Sequence, residues 1–210
     1  MGDGSPNPKV LEQNQQMVDQ LARARREELS STRHEKKIDQ CAQHFLQLCG
    51  FDSSPFEITA EGDDFKIFGK VCHSDGDHYV VVTPSNDLVL VFEDKSLKFD
   101  EVVKQQGHLG QIVGELLQLL SLNRNKKVFR SVFAVRFINY FVTAFRLDVD
   151  KPTTNALVNK RAAPSKKLQL LCSDMHPQKN RGLSLIDPTQ RVKALHLMAD
   201  IRNFIVSVKK

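Results

Sequence analysis

Two apolar, β-branched runs, Tyr79-Val80-Val81-Val82 and Leu88-Val89-Leu90-Val91-Phe92, flank the polar stretch Pro84-Ser85-Asn86-Asp87. That pattern predicts a β-hairpin with a tight turn. Charge collects at its open end, with Asp77 on one strand and Glu93 and Lys95 on the other. Before the hairpin, Ile38, Cys41, Phe45 and Leu48 recur at helical spacing and predict a helix over 33–48, with Gly50 placed to end it. Phe56–Thr59 and Phe65–Val71 alternate apolar and polar residues and predict strands joined by a turn at Glu61–Asp64. After the hairpin, Ile112, Leu116, Leu119 and Leu120 mark the buried side of a helix over 109–123, with Gln111, Glu115 and Gln118 elsewhere around it.

A second hairpin is predicted over 128–149, turning at Ile138-Asn139. Residues 151–167, rich in Pro, Asn and Lys, read as a loop, and Leu168–Cys172 as a short strand. Thr189 to Val208 closes the chain as a helix behind Pro188. The fold class is therefore α/β (α+β), a mixed central sheet flanked by helices. Residues 1–32 form a tail and a peripheral polar helix whose thin apolar stripe holds Leu11, Val18 and Leu21, and 33–210 form the folded domain.

Composition narrows the function classes. The chain has 210 residues, a net charge of +5 and no Trp. Mild basicity suits a polyanionic partner. No apolar run reaches the length of a membrane span, so no membrane partner is expected. Cys41, Cys49, Cys72 and Cys172 show neither C-x-x-C spacing nor disulfide density, which points to a reduced, intracellular setting. The basic runs Lys126-Lys127 and Lys160-Arg161…Lys166-Lys167 read as phosphate contacts, as a nuclear signal, or as solvated loop.

The chemistry sits at the hairpin's open end. Two carboxylates and a lysine brought together are costly to bury, and a divalent metal is the usual compensation. Glu93 and Lys95, two apart, leave the same face of a strand, while Asp94 leaves the other. Each acid also has a plain reading. Asp77 can be a turn aspartate after Gly76, Glu93 and Lys95 a solvated strand end with a cross-strand ion pair, and Asp75 is a rival of the same parity as Asp77. His34, His44, His73, His78 and His108 read as surface or packing residues.

The arrangement Asp77, fifteen residues, then Glu93-Asp94-Lys95 resembles the PD-(D/E)XK nuclease superfamily, which has the restriction-endonuclease-like fold. The resemblance covers about half the chain, 33–137, and matches that family's αβββαβ core in order. Gly76 stands where the family usually has proline. What it implies is a Mg2+- or Mn2+-dependent hydrolase cutting phosphodiester bonds in nucleic acid, DNA more than RNA. Asp77, Glu93 and Lys95 would be catalytic. Metal ligands would be Asp77, Glu93, the Asp94 backbone carbonyl and Glu35, which also fits a capping box with Thr32. Gln111 would reach the site from the next helix, and Lys98, Lys126 and Lys127 would touch substrate. The alternative is a catalytically inactive nucleic-acid-binding or protein-interaction module on the same fold, with the N-terminal helix docking a partner protein.

The nuclease reading makes a demand on register. Asp77 shares a face with Glu93 or Lys95 when paired residue numbers sum to 170 or 172, whereas a simple two-residue turn at Ser85-Asn86 gives 171. An odd-length turn or a β-bulge is therefore expected in this hairpin.

Overall fold

The computed structural model describes residues 15–19, 23, 33–60, 64–73, 76–95, 108–123, 131–159, 168–173 and 182–208. In chain order these give α1 (Arg33–Leu48), β1 (Phe56–Thr59), β2 (Phe65–Ile67), β3 (Lys70–Cys72), β4 (His78–Val82) and β5 (Asp87–Lys95). There follow α2 (His108–Leu122), β6 (Ser131–Ile138), β7 (Phe141–Asp148), α3 (Lys151–Asn159), β8 (Leu170–Cys172), β9 (Leu183–Ser184) and α4 (Pro188–Val208). Gln15–Asp19 and Arg23 are helical too; the rest of the polar helix expected there lies outside the described residues.

The main sheet runs β1-β4-β5-β6-β7-β8, with β9 also paired to β7. β1, β4 and β5 form an antiparallel meander, and β6 joins β5 in parallel. A parallel neighbour needs a crossover, and α2 supplies it. The order α1-β1-β4-β5-α2-β6 is an αβββαβ core, extended by the N-terminal helical segment, by β7 and by the C-terminal helix.

Two apolar layers sandwich the sheet. On one face Ile38, Phe45 and Leu46 of α1 and Met198, Ile201 and Ile205 of α4 pack on Val80, Leu90, Phe92, Val135 and Phe137. Met17 joins this layer and is fully buried, so the N-terminal segment is docked on the core. On the other face Ile112, Leu116 and Leu119 of α2 and Leu157 of α3 cover Tyr79, Val91, Val132, Ala134 and Phe145. Burying each such side chain contributes roughly 1.5–3 kcal/mol.

The strands 56–59 and 65–71 do not pair with each other, contrary to expectation. β1 pairs β4, with Phe56 opposite Val82 and Ile58 opposite Val80. Those four side chains share the α1 layer, and that burial outcompetes pairing of β1 with the strand after it; residues 61–63 of the expected turn lie outside the described residues. β2 and β3 form a separate hairpin about Phe68-Gly69. Its turn is held on α3 by Phe68 N–H to Leu157 O (2.6 Å) and Gly69 N–H to Val158 O (3.0 Å).

The stretch expected to be one loop over 151–167 begins instead with α3. Asp150 caps it, accepting from Thr153 N–H at 2.8 Å. Pro152 falls in the first turn, where a missing N–H costs nothing, so it does not break the helix. The hairpin about Asn139 and the final helix form as expected, the latter capped by Asp187 through Gln190 N–H at 2.9 Å.

Candidate functional site

The register of the β4–β5 hairpin decides which acids meet. Next to the turn, Val82 pairs Asp87 and Val81 pairs Leu88, numbers that sum to 169. Continued unbroken, that register would set Asp77 against Phe92, on the wrong parity. A bulge at Val89 intervenes. Beyond it Val80 pairs Leu90, Tyr79 pairs Val91 and His78 pairs Phe92, and the sum is 170. Val89 and Leu90 both join the α1 layer, as an inserted residue requires. One step further along this register, Asp77 stands opposite Glu93.

Helix α2 lies over that face. Its Asn123 side-chain amide accepts from Leu88 N–H at 3.2 Å and donates back to Leu88 O, fixing the helix beside the bulge. Gln118 Oε1 accepts from the Tyr79 hydroxyl at 3.0 Å, and that hydroxyl accepts from Gly76 N–H at 2.8 Å. Gln111 Nε2 donates to Glu93 Oε1 at 2.5 Å. Glu115, one turn on, is wholly buried and faces Glu93 and Asp77.

Glu115 and Gln118 are thus not on a solvated side of their helix. Residues 111, 115 and 118 form a second stripe at the same 4-then-3 spacing as Ile112, Leu116 and Leu119. Both stripes face the sheet, a signal that the apolar positions mask.

Burial, and then the adjacent charges of Glu93 and Asp77, push the Glu115 carboxyl up to about 9, and the Gln111 amide offsets part of this. At neutral pH Glu115 therefore holds a proton and can donate it to Glu93. Glu93, only 2% exposed, and Glu115 beside it suit a shared proton, with the Asp77 charge near enough to act on it.

The other face of the same strand ends carries a different group. Asp94 points away from Glu93, as strand alternation dictates. With His78 and with Asp39 of α1 it brings three ligand atoms within 4.8 Å of one another. His78 Nε2 lies 2.8 Å from Asp39 Oδ1. Among the described residues this is the one such close triad, and the Asp77, Glu93 and Glu115 carboxylates are more widely spread. Cys41 lies near Asp94, but burial and then that charge push its thiol up to about 11, so it stays protonated.

The structure therefore brings Asp77, Glu93 and Gln111 together and adds Glu115. Lys95 continues β5, pairing Ile138 of β6, and Glu35 lies in the first turn of α1; the side chains of both are outside the described residues. Lys98, Lys126, Lys127 and Asp75 also lie outside them. His44 and His73 are exposed, as expected, whereas His78 is buried in a polar group. Asp39 carried no motif of its own. Only the alternation of Asp77/His78 against Glu93/Asp94 hints that both faces bear chemistry.

These features define a mixed α/β protein with carboxylate groups back to back across the end of one hairpin. Comparison with protein-family models, with curated proteins and with solved structures returns no match.

Proposed function

We propose that this chain is a divalent-metal-dependent nuclease of the PD-(D/E)XK kind, acting on nucleic acid at the α2 face of the β4–β5 hairpin. One observation carries the reading. The bulge at Val89 gives the register that sets Asp77 opposite Glu93, the parity which the nuclease reading requires and an unbroken hairpin would not supply. The αβββαβ order and Gln111 bonded to Glu93 add support.

Asp77 and Glu93 are the oxygen ligands for Mg2+ or Mn2+ in this reading, and Gln111 holds the Glu93 carboxylate in orientation. Glu115 would give up its proton with a cation bound beside it. Bound Mg2+ would supply charge neutralisation at the phosphate and a more acidic water. Lys95, of the same strand parity as Glu93, has the role of orienting that water and offsetting developing negative charge. Among the described residues no helix is long and apolar enough to cross a membrane.

A second reading, a silent nucleic-acid-binding module, is favoured by one feature: Gln111 already bonds Glu93 and the adjacent Glu115 holds a proton, so less charge is left there for a cation to offset. Plasmid, single-stranded DNA and RNA, each incubated with Mg2+, Mn2+ or EDTA, separate the two. Cleavage that needs metal and drops by at least ~10²-fold in Lys95→Ala and Glu93→Gln supports the enzyme. Binding without cleavage in any metal, equal in wild type and Lys95→Ala, leaves the silent module.

A further inference from the structure

We propose that Asp39, His78 and Asp94 form a second metal site, on the opposite face of the hairpin end, that takes a zinc-class divalent ion and fastens α1 to the sheet. The inference goes beyond the nuclease reading and does not depend on it.

Three separate elements deliver the ligands: α1 gives Asp39, β4 gives His78 and β5 gives Asp94. Their ligand atoms already lie within 4.8 Å of one another. Tetrahedral zinc, with ligands at ~2.0–2.1 Å, holds neighbouring ligand atoms ~3.3 Å apart. The 2.8 Å between His78 Nε2 and Asp39 Oδ1 has to open only slightly to admit an ion. Three protein ligands leave a fourth position for water.

The donor set also separates this site from its neighbour. An imidazole with two carboxylates suits zinc and similar first-row ions, whereas magnesium prefers oxygen alone. The group at Asp77, Glu93 and Glu115 is all oxygen. Access is open, because the Asp39 side chain is 47% exposed while that of His78 is 11% exposed. An ion enters past Asp39 and is gripped by the buried pair. Two carboxylates around one neutral imidazole carry two negative charges, which a divalent cation neutralises.

The test uses full-length protein stripped with chelator and titrated with Co2+, followed by d–d absorption, and with Zn2+, followed by calorimetry. At least one equivalent is expected in wild type, and one in the Glu93→Gln/Glu115→Gln variant. Affinity should fall by at least ~10-fold in Asp39→Asn and in His78→Gln. Zn2+ should raise the melting temperature of wild type and not of Asp39→Asn, whose half-exposed position tolerates the change. Unchanged affinity in a folded Asp39→Asn, a thiolate-to-cobalt charge-transfer band, loss of the site in the Glu93→Gln/Glu115→Gln variant, or no binding by wild type would each overturn the proposal.

Discussion

Asp77 Oδ2 accepts a hydrogen bond from the backbone N–H of Asp94 at 2.7 Å. This one bond ties together the two faces of the hairpin end. Asp77 belongs with Glu93 on the α2 face, while the Asp94 side chain joins Asp39 and His78 on the α1 face. The backbone that presents both acids of β5 is therefore held from the strand opposite.

Asp77 then has two separable jobs, and two substitutions separate them. Asn keeps an oxygen that can accept from Asp94 N–H but lacks the charge, whereas Ala loses both. Asp77→Asn should melt close to wild type in urea yet lose metal-dependent cleavage. Asp77→Ala should lose cleavage and also about 1–3 kcal/mol of stability, the cost of a partly buried donor left without its acceptor. Equal urea midpoints for wild type and both variants would show that the bond does not hold the strand end.

Gly76, just before it, has no room for a side chain. A Cβ there would lie 2.3 Å from Val91 Cγ2 and 3.2 Å from the Tyr79 ring. Gly76→Ala should cost roughly 1–3 kcal/mol by overpacking. Because the displaced residue adjoins Asp77, cleavage should fall further than the loss of folded protein explains. Urea melts paired with initial rates on the folded fraction measure the two effects.

The helices and strands with clear periodicity were legible in the sequence, and so was the need for an irregular hairpin. Parity arithmetic on Asp77, Glu93 and Lys95 demanded an odd offset, and Val89 provides it. Pairing partners were less legible. The alternation of Phe56-Glu57-Ile58 names a strand but not its neighbour, which depends on which apolar layer is being filled. Buried polar residues were the least visible. Glu115 and His78 look like surface residues because their burial is compensated by partners far away in sequence: Glu93 for the first, Asp39 for the second. Pro152 misled for a local reason, since its meaning changes once Asp150 caps the turn.

Asn123 offers a test of whether α2 positions the site. Its amide closes two hydrogen bonds on Leu88, beside the bulge and at the far end of the helix from Gln111. Asn123→Ala leaves the Leu88 amide and carbonyl without those partners and should cost about 1–3 kcal/mol. If the anchor sets the helix over Glu93, the variant's Mg2+ affinity should also weaken while its Asp39–His78–Asp94 site still binds Co2+. A loss of stability with Mg2+ affinity intact would place the helix's alignment elsewhere.

The raised Glu115 carboxyl makes stability depend on pH in a definite direction. Its value rises from 4.5 to about 9 on folding, so in the absence of metal the folded chain keeps a proton that the unfolded chain releases. Stability is then greatest below about pH 4.5 and falls as pH climbs toward 9, with a slope of at most about 1.4 kcal/mol per pH unit. Other groups titrate in the same window, so the measured quantity is the difference between wild type and Glu115→Gln in EDTA. The variant should lack this decline and gain relative to wild type as pH rises. Because a cation competes with the same proton, Mg2+ should bind wild type more tightly at pH 8 than at pH 6 and should flatten its decline. Parallel melting curves for wild type and Glu115→Gln across pH 5 to 9 would mean that Glu115 does not hold the proton, and the carboxyl pair with Glu93 would lose its place in the metal site.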